Sequence, residues 1–176
     1  MSVGFGIIYG LISGYFGGQI DNGLMRIVDF FLVLPFLMIV IVFVTIVPSY
    51  DIWTFSAIMA AFLWMGTARL IRSLALQEKE LDYVNASKTL GSTHLKIIFS
   101  QLMPNLVGII IVNGTLSLAA NIGIESGLSF LGFGFPEDYP SLGTLLAYAT
   151  QTQTLQNRWW IWLPAALMIL VLMLCV

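Results

Sequence analysis

Residues 81–105 read LDYVNASKTLGSTHLKIIFSQLMPN and form a polar interruption in a chain that is otherwise rich in apolar residues. This segment holds two lysines and the only histidine of the protein, and Gly91 lies between two short helical patterns. The 176-residue chain is 59% hydrophobic and only 9% charged, whereas soluble domains carry about 25% charged residues. We therefore predict an all-α membrane protein in which this segment lies in water and contacts a partner.

Five apolar stretches are long enough, or nearly long enough, to cross a bilayer, which takes roughly 20 residues. They occupy residues 1–16, 30–50, 52–72, 104–124 and 159–176. We predict that they pack as one polytopic bundle that forms a single domain over residues 1–176. Pro35 and Pro164 lie within these spans and are expected to kink them. Because the first and last spans are short, we interpret the chain as a fragment or a truncated product.

The basic residues predict the orientation in the membrane. Most of the lysines and arginines lie beside or within residues 77–103, whereas residues 134–157 contain none and carry Glu137 and Asp138 instead. Loops rich in lysine and arginine face the cytoplasm. We therefore place residues 77–103 in the cytoplasm and the loop at residues 134–157 outside.

The cytoplasmic segment has the pattern of a helix, a glycine and a second helix. Gly91 is expected in the left-handed conformation that often ends a helix, and Ser92 is a suitable N-cap for the next one. An apolar stripe at helical spacing then follows, formed by Leu95, Ile98, Phe99 and Leu102. Two interpretations fit this pattern: a solvated loop on the headgroups, or a helix that docks into a groove of a cytoplasmic partner.

The same segment resembles the EAA motif of ABC importer permeases. The family pattern is Glu-Ala-Ala, three residues, Gly, nine residues, and Ile-x-Leu-Pro. Ala86, Gly91 and Pro104 match it in identity and spacing. The chain departs from it at Asn85, Ser87, Gln101 and Met103. The stretches GYFGG at residues 14–18, MRIVD at 25–29, ARLIR at 68–72 and LSFLGFG at 128–134 are similar to the oligopeptide/dipeptide branch, specifically to the C-type subunit of its permease pair.

This resemblance implies the type I permease fold in a prokaryotic cell membrane and a role in peptide import. It implies four kinds of partner: a second similar permease, two cytoplasmic ATP-binding subunits, an extracytoplasmic solute-binding protein and the bilayer. It also implies that the coupling helix pair within residues 77–103 contacts the ATPase. The residues that we assign to this contact are Asp82, Tyr83, Asn85, Ala86, Ser87, Leu90 and Gly91.

Other chemistry is weakly represented in the sequence. Glu125, Ser129 and Phe130 are candidate residues of the substrate pathway, because an acid near the membrane interior is often functional. His94 has no second ligand at metal-binding spacing. The chain has no phosphate-binding GxxxxGK[ST] loop, so ATP hydrolysis belongs to a partner. We expect no catalytic site, cofactor, metal site or nucleic-acid partner.

Two alternatives stay open from the sequence. Nickel importer permeases share the pattern of this branch, so nickel is a second candidate substrate. A membrane scaffold whose cytoplasmic helix pair recruits a soluble partner without transport is a candidate from a different class of protein.

Overall fold

The computed structural model describes residues 2–47, 49–136 and 139–175, and every regular element in these ranges is helical. The prediction of an all-α protein is therefore confirmed. Helices α1 to α5 span Ser2–Phe16, Gly18–Val33, Phe36–Ile46, Ile52–Leu63 and Met65–Glu78. Short elements follow: α6 (Asp82–Thr89), α7 (His94–Ile97), a π-helical turn (Ile98–Leu102) and α8 (Met103–Asn105).

The remaining elements are one long helix and a group of shorter ones. They are α9 (Val107–Phe130), α10 (Leu142–Ala147), a 3₁₀ turn (Tyr148–Thr150), α11 (Thr152–Asn157) and α12 (Trp159–Cys175). The predicted outer loop at residues 134–157 thus contains two short helices. Glu137 and Asp138, which helped to assign that loop, lie outside the described residues. The chain forms two compact units, Met1–Leu34 with Ala60–Gly114 and Pro35–Met59 with Thr115–Val176.

Two helical stretches of the described chain, Ile52–Glu78 and Val107–Phe130, are long and apolar enough to cross a membrane. Helices α2 and α3 would form a third if they are one interrupted span. Helices α1 and α12 are apolar but shorter. The set of five spans therefore stays a prediction.

The stretch at residues 30–50, expected as one kinked span, contains parts of two helices. Helix α2 ends at Val33 and α3 begins at Phe36. Leu34 is extended, with ψ 132°, because the residue before a proline is kept out of the α region. Pro35 also has no N–H to continue the helical hydrogen bonds. By contrast, α12 continues through Pro164.

In the first unit, α1 and α5 lie side by side, run parallel and touch through glycines. A Cβ atom on Gly6 would lie 2.5 Å from the carbonyl oxygen of Trp64, and one on Gly10 would lie 2.5 Å from that of Ala68. One on Gly14 would lie 2.6 Å from that of Arg72. Each step of four residues along α1 matches a step of four along α5. Small residues at this spacing let two membrane helices approach until their backbones touch.

Helix α2 is attached to the same pair of helices by a buried carboxylate. Asp21 is 4% exposed and accepts hydrogen bonds from Ser13 Oγ at 2.6 Å and from Arg72 Nε at 2.7 Å. The Nη2 atom of Arg72 donates to the second oxygen of the carboxylate. Farther along α2, Asp29 forms an exposed ion pair with Arg69. These pairs connect α2 to α5 at two levels.

The core of the first unit joins its helices to the polar segment. Apolar side chains from five elements meet there: Ile7, Leu11 and Tyr15 of α1, Ile71 and Ala75 of α5, Val84 of α6, Ile97 of α7, and Ile98 and Leu102 of the π-helical turn. Leu106, the residue between α8 and α9, completes the cluster. The polar segment is therefore packed on the helices that flank it.

The second unit contains an aromatic cluster and a close helix contact. Phe55 is fully buried and lies edge-on to Phe135, with ring centroids 5.1 Å apart. Tyr50 donates a hydrogen bond of 2.6 Å to the carbonyl oxygen of Gly134. A Cβ atom on Gly143 of α10 would lie 2.6 Å from Cβ of Ser129 on α9, so α10 packs closely on the end of α9.

Candidate functional site

Helix α6 ends in a Schellman motif around Gly91. Gly91 has φ +76°, and its N–H donates to the carbonyl of Lys88 at 3.0 Å. The N–H of Ser92 donates to the carbonyl of Ser87 at 3.1 Å. These two bonds satisfy carbonyls that the helix end would otherwise leave unpaired. The prediction that Gly91 is left-handed is confirmed.

The predicted N-cap of the next helix is wrong by one residue. Thr93, not Ser92, precedes α7 as its N-cap, with extended backbone angles of φ −68° and ψ 149°. Ser92 belongs to the end of α6, because its N–H completes the Schellman motif. The Thr93 side chain makes no capping hydrogen bond, so packing of the adjacent residues, not the cap, supports this short helix.

The predicted apolar stripe is also partly wrong. Ile98 and Leu102 are fully buried as expected, but Leu95 and Phe99 are exposed and Ile97 takes an inner position. Phe99 lies within a π-helical turn at Ile98–Leu102, which inserts extra backbone into one turn and rotates the face that follows, whereas Leu95 and Ile97 precede this turn. The turn precedes Pro104, which cannot donate to the carbonyl four residues earlier and would collide with it in a regular α-helix.

Five of the seven predicted docking residues lie on the exposed side of α6 and its end: Asp82, Asn85, Ala86, Leu90 and Gly91. Among them, Leu90 is 85% exposed. Tyr83 and Ser87 are half-buried and face the rest of the unit. The predicted set therefore divides into an outer face and an inner face.

The inner face fastens α6 to its own unit. Val84 is fully buried in the core. Tyr83 donates a hydrogen bond of 2.9 Å to Glu78 at the end of α5, and burial raises the pKa of its phenol. The amide of Gln101 donates to the hydroxyl of Ser87. Helix α6 is thus held at both ends of its inner face and is oriented by those contacts.

Asn85 stands where the resembled motif has a glutamate. Its side-chain amide donates to the carbonyl of Glu80 at 3.2 Å, so Asn85 closes the turn before α6. Of the nearby acids, Glu78 is bonded to Tyr83. Asp82 is exposed and has no ion pair within the described part of the chain. Glu80 is exposed as well and has no ion pair in the described ranges, so two acids near Asn85 lie on the surface.

The side chain of His94 is held by contacts within the first unit. Its Nδ1 atom lies 2.8 Å from the hydroxyl of Tyr15, and its ring packs edge-on to the Tyr15 ring. The ammonium of Lys88 lies 5.9 Å from the centroid of the same tyrosine ring. The contacts join the start of α7 and the end of α6 to the end of α1. In the described ranges, no group of three or more metal-binding side chains occurs.

Glu125 lies inside α9 and connects it to α10. Its Oε1 atom accepts hydrogen bonds from Ser129 Oγ at 2.7 Å and from Ser141 Oγ at 2.8 Å. Ser141 is the N-cap of α10 and forms a capping box with Thr144. Ser129 is buried, whereas Phe130 is exposed. The structure thus brings Glu125 and Ser129 together and places Phe130 on a different side of α9.

A match to a known protein family covers nearly the whole chain. Residues 6–176 match the family described as binding-protein-dependent transport system inner membrane component. The chain belongs to this family. The match covers both compact units and the polar segment between α5 and α9. A multi-pass location in the inner membrane and the helical permease fold follow from membership in this permease family.

Individual permeases of the family are similar over most of the chain. The oligopeptide transport system permease protein OppC of Lactococcus lactis is 48% identical over 171 residues, which is 97% of this chain and 58% of the relative. OppC of Mycobacterium tuberculosis is 38% identical over 173 residues, 98% of this chain and 59% of the relative. The dipeptide transport system permease protein DppC of Bacillus subtilis is 39% identical over 155 residues, which is 88% of this chain and 48% of the relative. The chain thus spans about half to three-fifths of the length of these relatives.

Sequence reasoning missed three features of this permease chain. The glycines at positions 6, 10 and 14 have a visible spacing of four, which could have indicated the close contact with α5. The hydrogen bond between Ser87 and Gln101 joins two positions at which the chain departs from the EAA motif. Two departures that are both polar could have indicated that these side chains contact each other. The Asp21–Arg72 pair joins residues 51 positions apart and left no local signal.

Proposed function

We infer that this chain is the membrane-embedded part of a permease subunit in an ATP-driven peptide importer. The observation that carries the inference is the 48% identity to a permease named for oligopeptide transport, over 97% of the chain. A permease named for dipeptide transport is also similar. Two cytoplasmic ATPase subunits, a second permease and an extracytoplasmic solute-binding protein are the partners of such a subunit. ATP is hydrolysed by the ATPase partners and not by this chain.

The docking site for the ATPase is the outer face of α6, formed by Asp82, Asn85, Ala86, Leu90 and Gly91. Three physical properties support this assignment. The small Ala86 side chain and Gly91 permit close approach of a partner backbone. Leu90 supplies exposed apolar area. Complete burial of a leucine side chain contributes about 1.5–3 kcal/mol of binding free energy. Asp82 offers a carboxylate at the start of the helix. Tyr83 and Ser87, which belong to the predicted docking set, orient this face from its inner side.

The same contacts suggest how force is transmitted. Closure of an ATPase dimer would displace α6, and the buried Val84 would pass that displacement to the core shared with α1, α5 and the start of α9. The bond from Gln101 to Ser87 adds a second connection to the π-helical turn. A helix fastened in this way moves together with the elements that hold it. This is coupling through a shared rigid element, which needs two states that the ATPase stabilises differently.

Replacing Leu90 by aspartate tests the docking assignment. Leu90→Asp removes an exposed apolar contact, so we expect at least a tenfold loss in affinity for the ATPase subunit, which corresponds to about 1.4 kcal/mol. The matched control is Leu95→Asp, because Leu95 is 64% exposed and lies on α7, outside the assigned face. The affinities are measured by co-purification and by titration in nanodiscs. Equal effects of the two substitutions, or no effect of the first, would contradict the assignment.

A peptide uptake experiment tests the substrate. A strain that lacks its own peptide permease and carries the full-length protein with its partners should regain uptake of labelled di- to hexapeptides. Nickel uptake, measured in the same strain, tests the alternative cargo. Peptide uptake that fails while nickel uptake is restored would overturn the peptide assignment. Binding of the ATPase without uptake of either substrate would favour the scaffold alternative.

The substrate pathway through Glu125, Ser129 and Phe130 stays a proposal. Glu125 retains one carboxylate oxygen, Oε2, beyond the two hydrogen bonds that reach Oε1. This acid is thus able to receive a cationic group while it holds α10. The side chain of Phe130 is exposed and would make a separate apolar contact with the substrate. Ser129 acts here by orienting Glu125.

A further inference from the structure

A polar pocket lies between α2 and α5 in the first unit. Its volume is about 460 Å³, which is within the range of small-ligand sites of roughly 300–1,000 Å³. Two helices contribute its lining, which consists of Asn22, Met25, Arg26, Asp29, Arg69 and Arg72. Three guanidinium groups therefore border one cavity in a chain with only seven lysines and arginines.

Two of the three arginines are neutralised by partners within the unit. Arg72 pairs with the buried Asp21, and Arg69 pairs with Asp29. Arg26 is exposed and has no ion pair among the residues that the structure describes. The pocket consequently carries one uncompensated positive charge. Asn22, one helical turn before Arg26 on α2, adds an amide at the same cavity.

Apolar surface lies beside the polar pocket on α2. Asn22 and Asp29 are seven residues apart, or about 10 Å along a helix, whereas the headgroup layer on each side of a bilayer is roughly 5–7 Å thick. Exposed apolar side chains adjoin the lining residues on α2: Ile27 is 50% exposed and Phe30 is 65% exposed. The Asn22 and Arg72 end lies toward the part of α5 that continues into the polar segment. Exposed apolar surface on α2 thus adjoins the charged lining of the pocket, as a lipid with a phosphate group and acyl chains would require.

We propose that this pocket binds the phosphate group of a phospholipid. Arg26 donates hydrogen bonds to the phosphate oxygens with its guanidinium, whose planar group of donors matches phosphate geometry. Asn22 donates from its amide, and the exposed apolar side chains of α2 contact the acyl chains. The lipid would lie in the leaflet nearest the coupling segment, where basic pockets between membrane helices bind anionic headgroups. This lipid site is separate from the proposed ATPase contact on α6 and from the proposed substrate pathway.

Native mass spectrometry of the full-length protein tests the proposal. The protein is titrated with phosphatidylglycerol and, in parallel, with diacylglycerol of the same chain length, which lacks the phosphate. We expect saturable binding of phosphatidylglycerol, and the Arg26→Gln variant should bind it at least tenfold more weakly. Arg158→Gln is the matched control, because Arg158 is an exposed arginine in the other unit. Its phosphatidylglycerol affinity should equal that of the unmodified protein.

Four outcomes would overturn the proposal. Arg26→Gln and Arg158→Gln could weaken binding equally, which would mean general attraction between charges. Diacylglycerol could bind as tightly as phosphatidylglycerol, which would remove the phosphate from the argument. Inorganic phosphate at millimolar concentration could bind at Arg26 while the lipid does not, which would identify a free anion as the ligand. Finally, Arg26→Gln could weaken only the association with the second permease, which would make the pocket a protein contact. Thermal unfolding of each variant checks that folding is retained.

Discussion

Replacement of Gly10 by valine is expected to force α1 away from α5 and to lower the stability of the first unit severely. The new Cβ atom alone would lie 2.5 Å from the carbonyl oxygen of Ala68, 2.9 Å from Cβ of Ile71 and 3.0 Å from the backbone nitrogen of Arg72. Two of these three atoms belong to the backbone of α5, which cannot rotate away. Helix α1 must therefore separate from α5, and the core that holds α6 would open with it.

The expected cost is at the upper end of the range for overpacked sites, about 3 kcal/mol or more. For a protein of this size, that corresponds to a decrease in the unfolding temperature of roughly 6–12 °C. Thermal unfolding in detergent, followed by tryptophan fluorescence, measures it. The amount of folded protein recovered from the membrane gives an independent readout.

Gly4→Val is the matched control for this prediction. Gly4 lies on the same helix, and a Cβ atom there would have no neighbour within 4 Å. Both substitutions change the intrinsic helix preference in the same way, so their difference isolates the contact with α5. If the two variants unfold at the same temperature, the close packing of α1 on α5 is not what stabilises this unit.

Removal of the Arg72 charge is expected to destabilise the same unit almost as strongly. Arg72→Met leaves Asp21 as a buried carboxylate whose side chain is 6% exposed and whose remaining hydrogen bond in the structure comes from Ser13. Breaking a buried ion pair in this way costs about 3–5 kcal/mol, mainly because an uncompensated charge is left behind. Since Arg72 itself is 33% exposed, we expect a value near the lower end. Thermal or denaturant-induced unfolding measures the loss.

The pair Arg69–Asp29 provides the comparison. Its side chains are 53% and 50% exposed, and an exposed ion pair contributes at most about 1 kcal/mol. Arg69→Met should therefore unfold within about 2–4 °C of the unmodified protein. Adding Asp21→Asn to Arg72→Met removes the unpaired charge and should restore more than half of the lost stability. A double variant that is no more stable than Arg72→Met would show that packing, and not charge, explains the effect.

Several features could be predicted from nearby residues in the sequence. The membrane character follows from long charge-free stretches, and the left-handed conformation of Gly91 follows from its place between two helical patterns. The EAA-like spacing of Ala86, Gly91 and Pro104 indicated the permease family, which the family comparison then confirmed. Each of these depends on hydropathy or on local backbone geometry, which residues close in sequence largely determine.

The division of the docking segment into two faces could not be predicted in the same way. Regular helical spacing assigned Leu95 and Phe99 to the buried stripe, whereas both are exposed in the structure and Phe99 lies within a π-helical turn before Pro104. The inward position of Tyr83 and Ser87 depends on Glu78 and Gln101. These contacts thus decide which side chains of α6 a partner can reach.

The sequence by itself determined that this is a helical membrane protein of the permease family, with a polar segment that bends at Gly91. Only the tertiary structure decided which side of that segment faces outward, how closely α1 approaches α5, and that Asp21 is paired with Arg72 while Arg26 has no such partner among the described residues. The physical reason is the range of the interactions. Helix formation and membrane insertion depend on the composition of one stretch, whereas burial and ion pairing depend on which distant stretches the packing brings together.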